Sequence, residues 1–220
     1  MASANKTSTR IQSLLESCAN AAYEALKARY RLGEGLDHED SIRYYFYQEL
    51  NKRKVSKHSL MLKCPCWEGD LRRIMDTRIK LPGKTVWLEF AFHRRLIGGG
   101  LAKTQKLGSI LANFLRLSLM PRLDQKYSYY AMDRTMFEYL RDAGYGALLL
   151  NKPFTVYRKK GEFYLGPTKL SKYTQKIIRR RTWKMPSDIK AVIRPISLPA
   201  ATLSKKDKDF SYYLFFYKVL

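Results

Sequence analysis

Cysteine, histidine and acidic side chains are all scarce in this chain, and each shortage removes a class of function. Three cysteines in 220 residues, Cys18, Cys64 and Cys66, are too few for a disulfide framework and fit a reducing compartment. The Cys64-Pro65-Cys66 pair lacks the two further ligands that a structural zinc needs, since His38, His58 and His93 stand at no ligand spacing. No run of about 18 apolar residues is present to cross a bilayer. The N-terminal stretch MASANKTSTRIQSLLESC has no signal-peptide core. These absences predict a soluble protein that is neither membrane-spanning nor secreted, working in the cytoplasm or with nucleic acid in a nucleoid or nucleus. Internal repeats and low-complexity segments are also missing, which excludes solenoids and biased linkers.

The shortage of acids is the most informative. Nineteen Asp and Glu face 42 Lys and Arg, for a formal net charge of +23 and a pI near 10.0. Such an excess repels itself and calls for a polyanionic partner. Nucleic acid, gripped through phosphate neutralisation and counterion release, fits best. A membrane surface fits less well, because the basic residues do not line one face of an amphipathic helix. What the chain has in quantity is apolar and aromatic: 45% hydrophobic residues and 16 tyrosines, enough to bury a core within one domain.

Periodicity divides the chain into elements. Ile11, Leu14, Leu15, Cys18, Ala22, Leu26 and Tyr30 recur at helical spacing over residues 8–31, and Gly33-Glu34-Gly35 breaks that helix. Asp37 is placed to cap a second helix through EDSIRYYFYQELNKR, with Glu39 one turn before Ile42 on its apolar side. Strand-like stretches follow: SLMLKCPCW, LRRIMDTRIKL and KTVWLEFAFHRR, the last two joined by the turn signal Pro82-Gly83. After the glycine-rich link at 96–100, LAKTQKLGSILANFLRLSLM reads as an amphipathic helix. KYSYYAM reads as a buried strand, and Asp133 as the cap of the next helix. ALLLN, the hairpin FTVYRKKGEFYLG, IKAVIRPISL and FSYYLFFYKVL complete the strands. Three segments result: an N-terminal helix at 1–36, a core at 37–150, and a basic extension at 151–220 belonging to the same domain.

Strand alternation turns two acids into a candidate site. Asp76, Arg78 and Lys80 share one face of their strand, and Trp87, Glu89, Ala91 and His93 share one face of the next. A hairpin at Pro82-Gly83 then sets Asp76 beside Glu89, with Glu39 approaching from the preceding helix. Clustered carboxylates raise one another's pKa and usually hold a cation. Oxygen-only ligands suit Mg²⁺ or Mn²⁺. Asp70, in a Gly-Asp turn context, is the weaker alternative to Asp76.

The order helix, three strands, helix, strand, with these acids in place over residues 37–142, resembles the PD-(D/E)XK nuclease superfamily. The resemblance implies an α/β, restriction endonuclease-like fold: a mixed central sheet flanked by helices, here with a basic C-terminal extension. It implies Asp76, Glu89 and Glu39 as metal ligands and a metal-dependent DNA endonuclease as the activity. The family's motif lysine falls at position 91, where this chain has alanine. Lys80 is the first candidate to take its role, with Lys106 and His93 behind it; Lys103, Gln105 and Lys106 match the helix after the core motif.

Beyond the acids, His93, Arg94, Arg95, Lys103, Gln105 and Lys106 are expected to meet nucleic acid, as is the acid-free run containing Lys176, Arg179, Arg180, Arg181 and Lys184. Trp183 or Tyr173 would stack on an unpaired base. The Gly98–Gly100 run lacks the lysine and serine of a P-loop and reads as a linker. Double-stranded DNA is the expected partner, and cutting both strands suits a homodimer. Two rival functions follow from the same residues: a catalytically inactive fold of this family that binds nucleic acid within a larger assembly, favoured by Ala91, and a basic RNA-binding protein.

Overall fold

The computed structural model describes residues 2–31, 39–53, 55, 60–65, 74–81, 83–93, 103–182, 185–196 and 212–220. These form five α-helices and one nine-stranded sheet, a mixed α/β architecture in which helices cover both faces. The strands are β1 (Leu60–Pro65), β2 (Ile74–Leu81), β3 (Lys84–His93), β4 (Gln125–Asp133), β5 (Phe154–Lys159), β6 (Glu162–Leu165), β7 (Thr168–Lys169), β8 (Lys190–Ile196) and β9 (Tyr212–Val219). Their order across the sheet is β1-β2-β3-β4-β9-β8-β5-β6-β7. Among these strands β3 and β4 alone run parallel. A parallel step needs a long crossover, and α3 (Lys103–Ser118) lies within it. Residues 151–220 supply the last five strands of the same sheet, and β9 reaches its middle, beside β4.

Both faces follow from the apolar patterning. On one, α1 (Ala2–Arg31) and α2 (Glu39–Lys52) lay Leu15, Cys18, Ala22, Ile42, Phe46 and Leu50 over Val86, Leu88, Phe90, Tyr127 and Tyr129. On the other, α3 lays Leu107, Ile110, Leu111 and Phe114 over Trp87, Ala91, Tyr130 and Tyr217, joined by α4 (Arg134–Asp142) and α5 (Lys172–Arg181). The central strand β4 is buried from Gln125 to Met132, with Tyr127 and Tyr129 in the core under α1 and α2 and Tyr130 in the core under α3. The fully buried phenols find partners: Tyr129 donates to the Ala19 carbonyl at 3.3 Å, and Tyr217 donates to the Leu148 carbonyl at 2.7 Å. Burial of a large apolar side chain contributes roughly 1.5–3 kcal/mol. Two such cores offset the self-repulsion of a +23 chain.

Local chemistry sets the element ends. Asp133 caps α4 by accepting from the Met136 N–H at 2.8 Å. The β5–β6 hairpin closes on Lys160 and Gly161, both at positive φ, the geometry of a two-residue type I′ turn. One expected strand is corrected: in ALLLN, residues Gly146–Leu149 form a one-turn 3₁₀ helix. Leu148 is the buried residue of that turn, so an apolar run that resembles a strand here plugs the core below α4. Asp37, the glycine-rich link, Trp183 and Cys66 lie outside the described residues. Among those described, no helix is long and apolar enough to cross a membrane.

Strand alternation fails at one place that matters. Met75 and Ile79 share parity on β2, yet Met75 belongs to the core under α3 and Ile79 to the core under α1 and α2. Opposite Asp76, the paired register of β1 skips from Leu62↔Thr77 to Cys64↔Met75, and the intervening Lys63 has φ 53. Pairing of β2 with β3 extends only from Thr77 to Leu81. Asp76 therefore sits where the strand changes faces, opposite Lys63, whose backbone lies in the left-handed region, with no residue inserted in either strand.

Candidate functional site

That irregularity aims the Asp76 carboxylate back at β3. Its Oδ2 accepts the N–H of Phe90 at 2.8 Å, and its Oδ1 accepts from the Arg43 guanidinium of α2 at 2.7 Å. Phe90 follows Glu89, so the two acids hang from adjoining backbone. Glu89 points to the other layer: its Oε1 accepts from Arg116 of α3 at 2.9 Å, and the same Arg116 nitrogen donates to Asn113 Oδ1 at 2.8 Å. The Glu89 side chain is 3% exposed and that of Arg116 14%. Beneath Asp76, Tyr47 and Thr77 share a hydroxyl–hydroxyl hydrogen bond that ties α2 to β2.

The expected side-by-side pair is thus corrected: the carboxylates hang from adjoining backbone but turn to opposite layers, Asp76 to Arg43 of α2 and Glu89 to Arg116 of α3. Asp76 and Glu89 offer hard oxygen donors. Mg²⁺ is commonly held by one or two carboxylates with water and phosphate oxygens completing the shell, so the donor chemistry fits such a cation. Arg43 and Arg116 must share or release their carboxylates for it to load, and each carboxylate oxygen has a second lone pair to offer. Glu39 opens α2, and its side chain lies outside the described residues. Among the described residues, no group of three His, Cys, Asp or Glu side chains is placed to hold a metal.

The remaining expected residues scatter. Lys80 is exposed and lies four residues along β2 from Asp76, roughly 13 Å at the rise of a strand. The fold does not bring it to the pair. Ala91, where the resemblance would put a lysine, is 6% exposed within the apolar core under α3. An ammonium there would be buried among leucines and methionines, which gives a physical reason for the alanine. Lys103 is exposed and lies over the Tyr139 ring at 5.6 Å, and Gln105 is half-buried within the first turn of α3. Lys176 and Arg180 face solvent on α5. Arg179 donates to the Gly161 carbonyl at 2.9 Å and to Gln175 at 3.1 Å, so it braces the β5–β6 turn. Arg94, Arg95 and Lys184 lie outside the described residues.

A second polar group forms at the end of β3. His93 Nδ1 and the Tyr130 hydroxyl are 2.8 Å apart. Burial, then the charges of Lys106 and Arg181, hold the His93 pKa down to about 3. Lys106 is itself buried, 8% exposed, and that burial lowers its pKa against the pull of Asp133. His93 is therefore a neutral imidazole at neutral pH. The unfolded chain binds its proton near 6.5, so stability is complete above that value and falls as pH drops from 6.5 toward 3. Urea midpoints at about pH 7 and about pH 5 are expected to differ for the wild type, and to differ less for His93→Gln.

Sequence reasoning missed Arg43, Arg116 and Asn113. The available signal was polarity out of place: Asn113 and Arg116 interrupt the apolar run of α3, and Arg43 follows Glu39 by one helical turn on the sheet side. No family model, no curated protein and no solved structure matches this chain.

Proposed function

We propose that the chain is a divalent-cation-dependent DNA endonuclease built on the PD-(D/E)XK plan. The observation that carries this reading is the Asp76 carboxylate bonded to the backbone of the residue beside Glu89. The element order α2, β1, β2, β3, α3, β4 and the +23 charge support it. Asp76 and Glu89 hold Mg²⁺ or Mn²⁺, with Glu39 assisting. The bound cation supplies an activated water and charge neutralisation at the scissile phosphate. Arg43 takes the electrostatic part of the lysine's role, since a guanidinium beside Asp76 stabilises negative charge developing on phosphate oxygens. It stays protonated and does not act as a base. Supercoiled plasmid incubated with Mg²⁺ or Mn²⁺ is expected to be nicked, and the same mixture with EDTA is not; intact plasmid under every metal sinks the reading.

One observation favours a second reading. Both acids already carry an arginine partner and Ala91 is packed in the core, which is also what a nuclease turned into a nucleic-acid clamp would keep. Under that reading Asp76→Asn leaves DNA affinity unchanged and no variant or metal yields cleavage.

A further inference from the structure

The sheet face that carries α1 and α2 continues past them onto β8, β5, β6 and β7. Val156, Phe163 and Ala191 point into the core under α3, so their neighbours Tyr157, Tyr164 and Lys190 point the other way. Here the described side chains stay open to solvent: Lys190 and Arg194 are exposed, and Tyr157, Tyr164 and Lys218 partly so. Cross-strand register sets Lys169 opposite Tyr164, Tyr164 opposite Tyr157, and Tyr157 opposite Lys190. Directly opposed residues share a face, so the four form one row across four strands, spanning about 14 Å at the usual strand spacing.

The two phenol rings stack, with centroids 5.0 Å apart and planes 7° from parallel. An ammonium flanks the pair at each end of the row. The opposed Arg194 and Lys218 extend the same face toward the centre of the sheet. Glu162, the acid on this face of β6, is neutralised by Lys169 at 2.6 Å and accepts from Tyr164 at 3.2 Å. Between residues 151 and 196 the chain has two acids, Glu162 and Asp188, against thirteen Lys and Arg.

Charge of this density would attract any polyanion, but the paired rings select among them. A nucleobase offers a π-face that stacks on an aromatic side chain whatever its sequence, while adjacent lysines meet the phosphates. In a duplex those base faces are occupied by neighbouring bases. We propose that the Lys169–Tyr164–Tyr157–Lys190 row is a binding platform for single-stranded nucleic acid, distinct from the Asp76–Glu89 centre. Bases stack on the tyrosine pair, and the backbone follows the cations toward Arg194.

Anisotropy titration of a labelled oligothymidylate and of a duplex, both in EDTA, tests this without reference to whether Asp76 and Glu89 cut DNA. Tyr157→Ala is expected to weaken single-strand binding about tenfold, since one stacked base is worth that much. Tyr157→Phe keeps wild-type affinity, because the ring and not the hydroxyl makes the stack. Duplex affinity is unchanged in both. Tyr164→Ala provides the same readout if Tyr157→Ala does not fold, as judged by near-UV circular dichroism. Wild-type single-strand affinity in a folded alanine variant overturns the proposal. So does an equal loss for single strand and duplex, which would reduce the row to plain charge.

Discussion

Glu89→Ala is expected to lower stability by about 3–5 kcal/mol, because it leaves the Arg116 guanidinium buried without its counter-charge. Arg116 is 14% exposed, and its Nη2 nitrogen divides its hydrogen bonds between Glu89 and Asn113. The loss arises from an uncompensated charge and not from a missing attraction, so it reverses when the charge goes too. The double variant Glu89→Ala/Arg116→Met is expected to recover most of the urea midpoint, since an apolar side chain of similar length fits the core beneath α3. It is not expected to recover metal-dependent cleavage. That split separates the structural role of Glu89 from its proposed role as a metal ligand. A double variant no more stable than the single would show that Arg116 is not what Glu89 compensates.

Gly108→Ala is the second large effect, and it runs against helix propensity. Alanine in mid-helix normally gains up to about 1 kcal/mol over glycine. At position 108 a Cβ would stand 2.8 Å from Ile177 Cβ, 2.9 Å from its Cγ2 and 3.1 Å from the Thr174 carbonyl oxygen. The methyl has nowhere to go unless α5 moves off α3. Overpacking of this kind costs about 1–3 kcal/mol, which outweighs the propensity gain. The melting temperature is expected to fall by several degrees, at roughly 2–4 °C per kcal/mol for a chain of this length. Shortening the opposing side chain, Gly108→Ala/Ile177→Ala, removes one of the three close contacts, that to Cγ2, because alanine keeps the Cβ at 2.8 Å, and is expected to return only a small part of the loss. A Gly108→Ala protein more stable than wild type would mean that α3 and α5 are not packed this closely.

Periodicity made much of this fold legible. The spacing of Leu107, Ile110, Leu111 and Phe114 reports α3, alternation reports β3, and the Asp133 cap and Gly83 turn mark where elements stop. These signals are local, so neighbouring residues carry them. The position of β9 between β4 and β8 is a long-range pairing, and nothing near residues 212–219 announces it. The alternation around Asp76 misleads for the same reason: the face change depends on Lys63 of another strand. At the candidate site spacing singled out two acids but set them side by side, where the structure turns Asp76 to α2 and Glu89 to α3, and it gave no sign of the arginines that hold them. Arg43 and Arg116 look like two among 42 basic residues until burial sets them apart. Lys80 shows the same failure: Asp76 reaches α2, whereas Ile79 packs under α1 and α2 and so turns its neighbour Lys80 to the opposite face.

The proposed endonuclease activity places phosphodiester hydrolysis at Asp76 and Glu89. Plasmid nicking in Mn²⁺ by Asp76→Asn, set beside Lys80→Ala, tests it most directly. The expected result is a loss on the order of a hundredfold for Asp76→Asn with Lys80→Ala cutting at the wild-type rate. Equal cleavage by wild type and Asp76→Asn would contradict the claim.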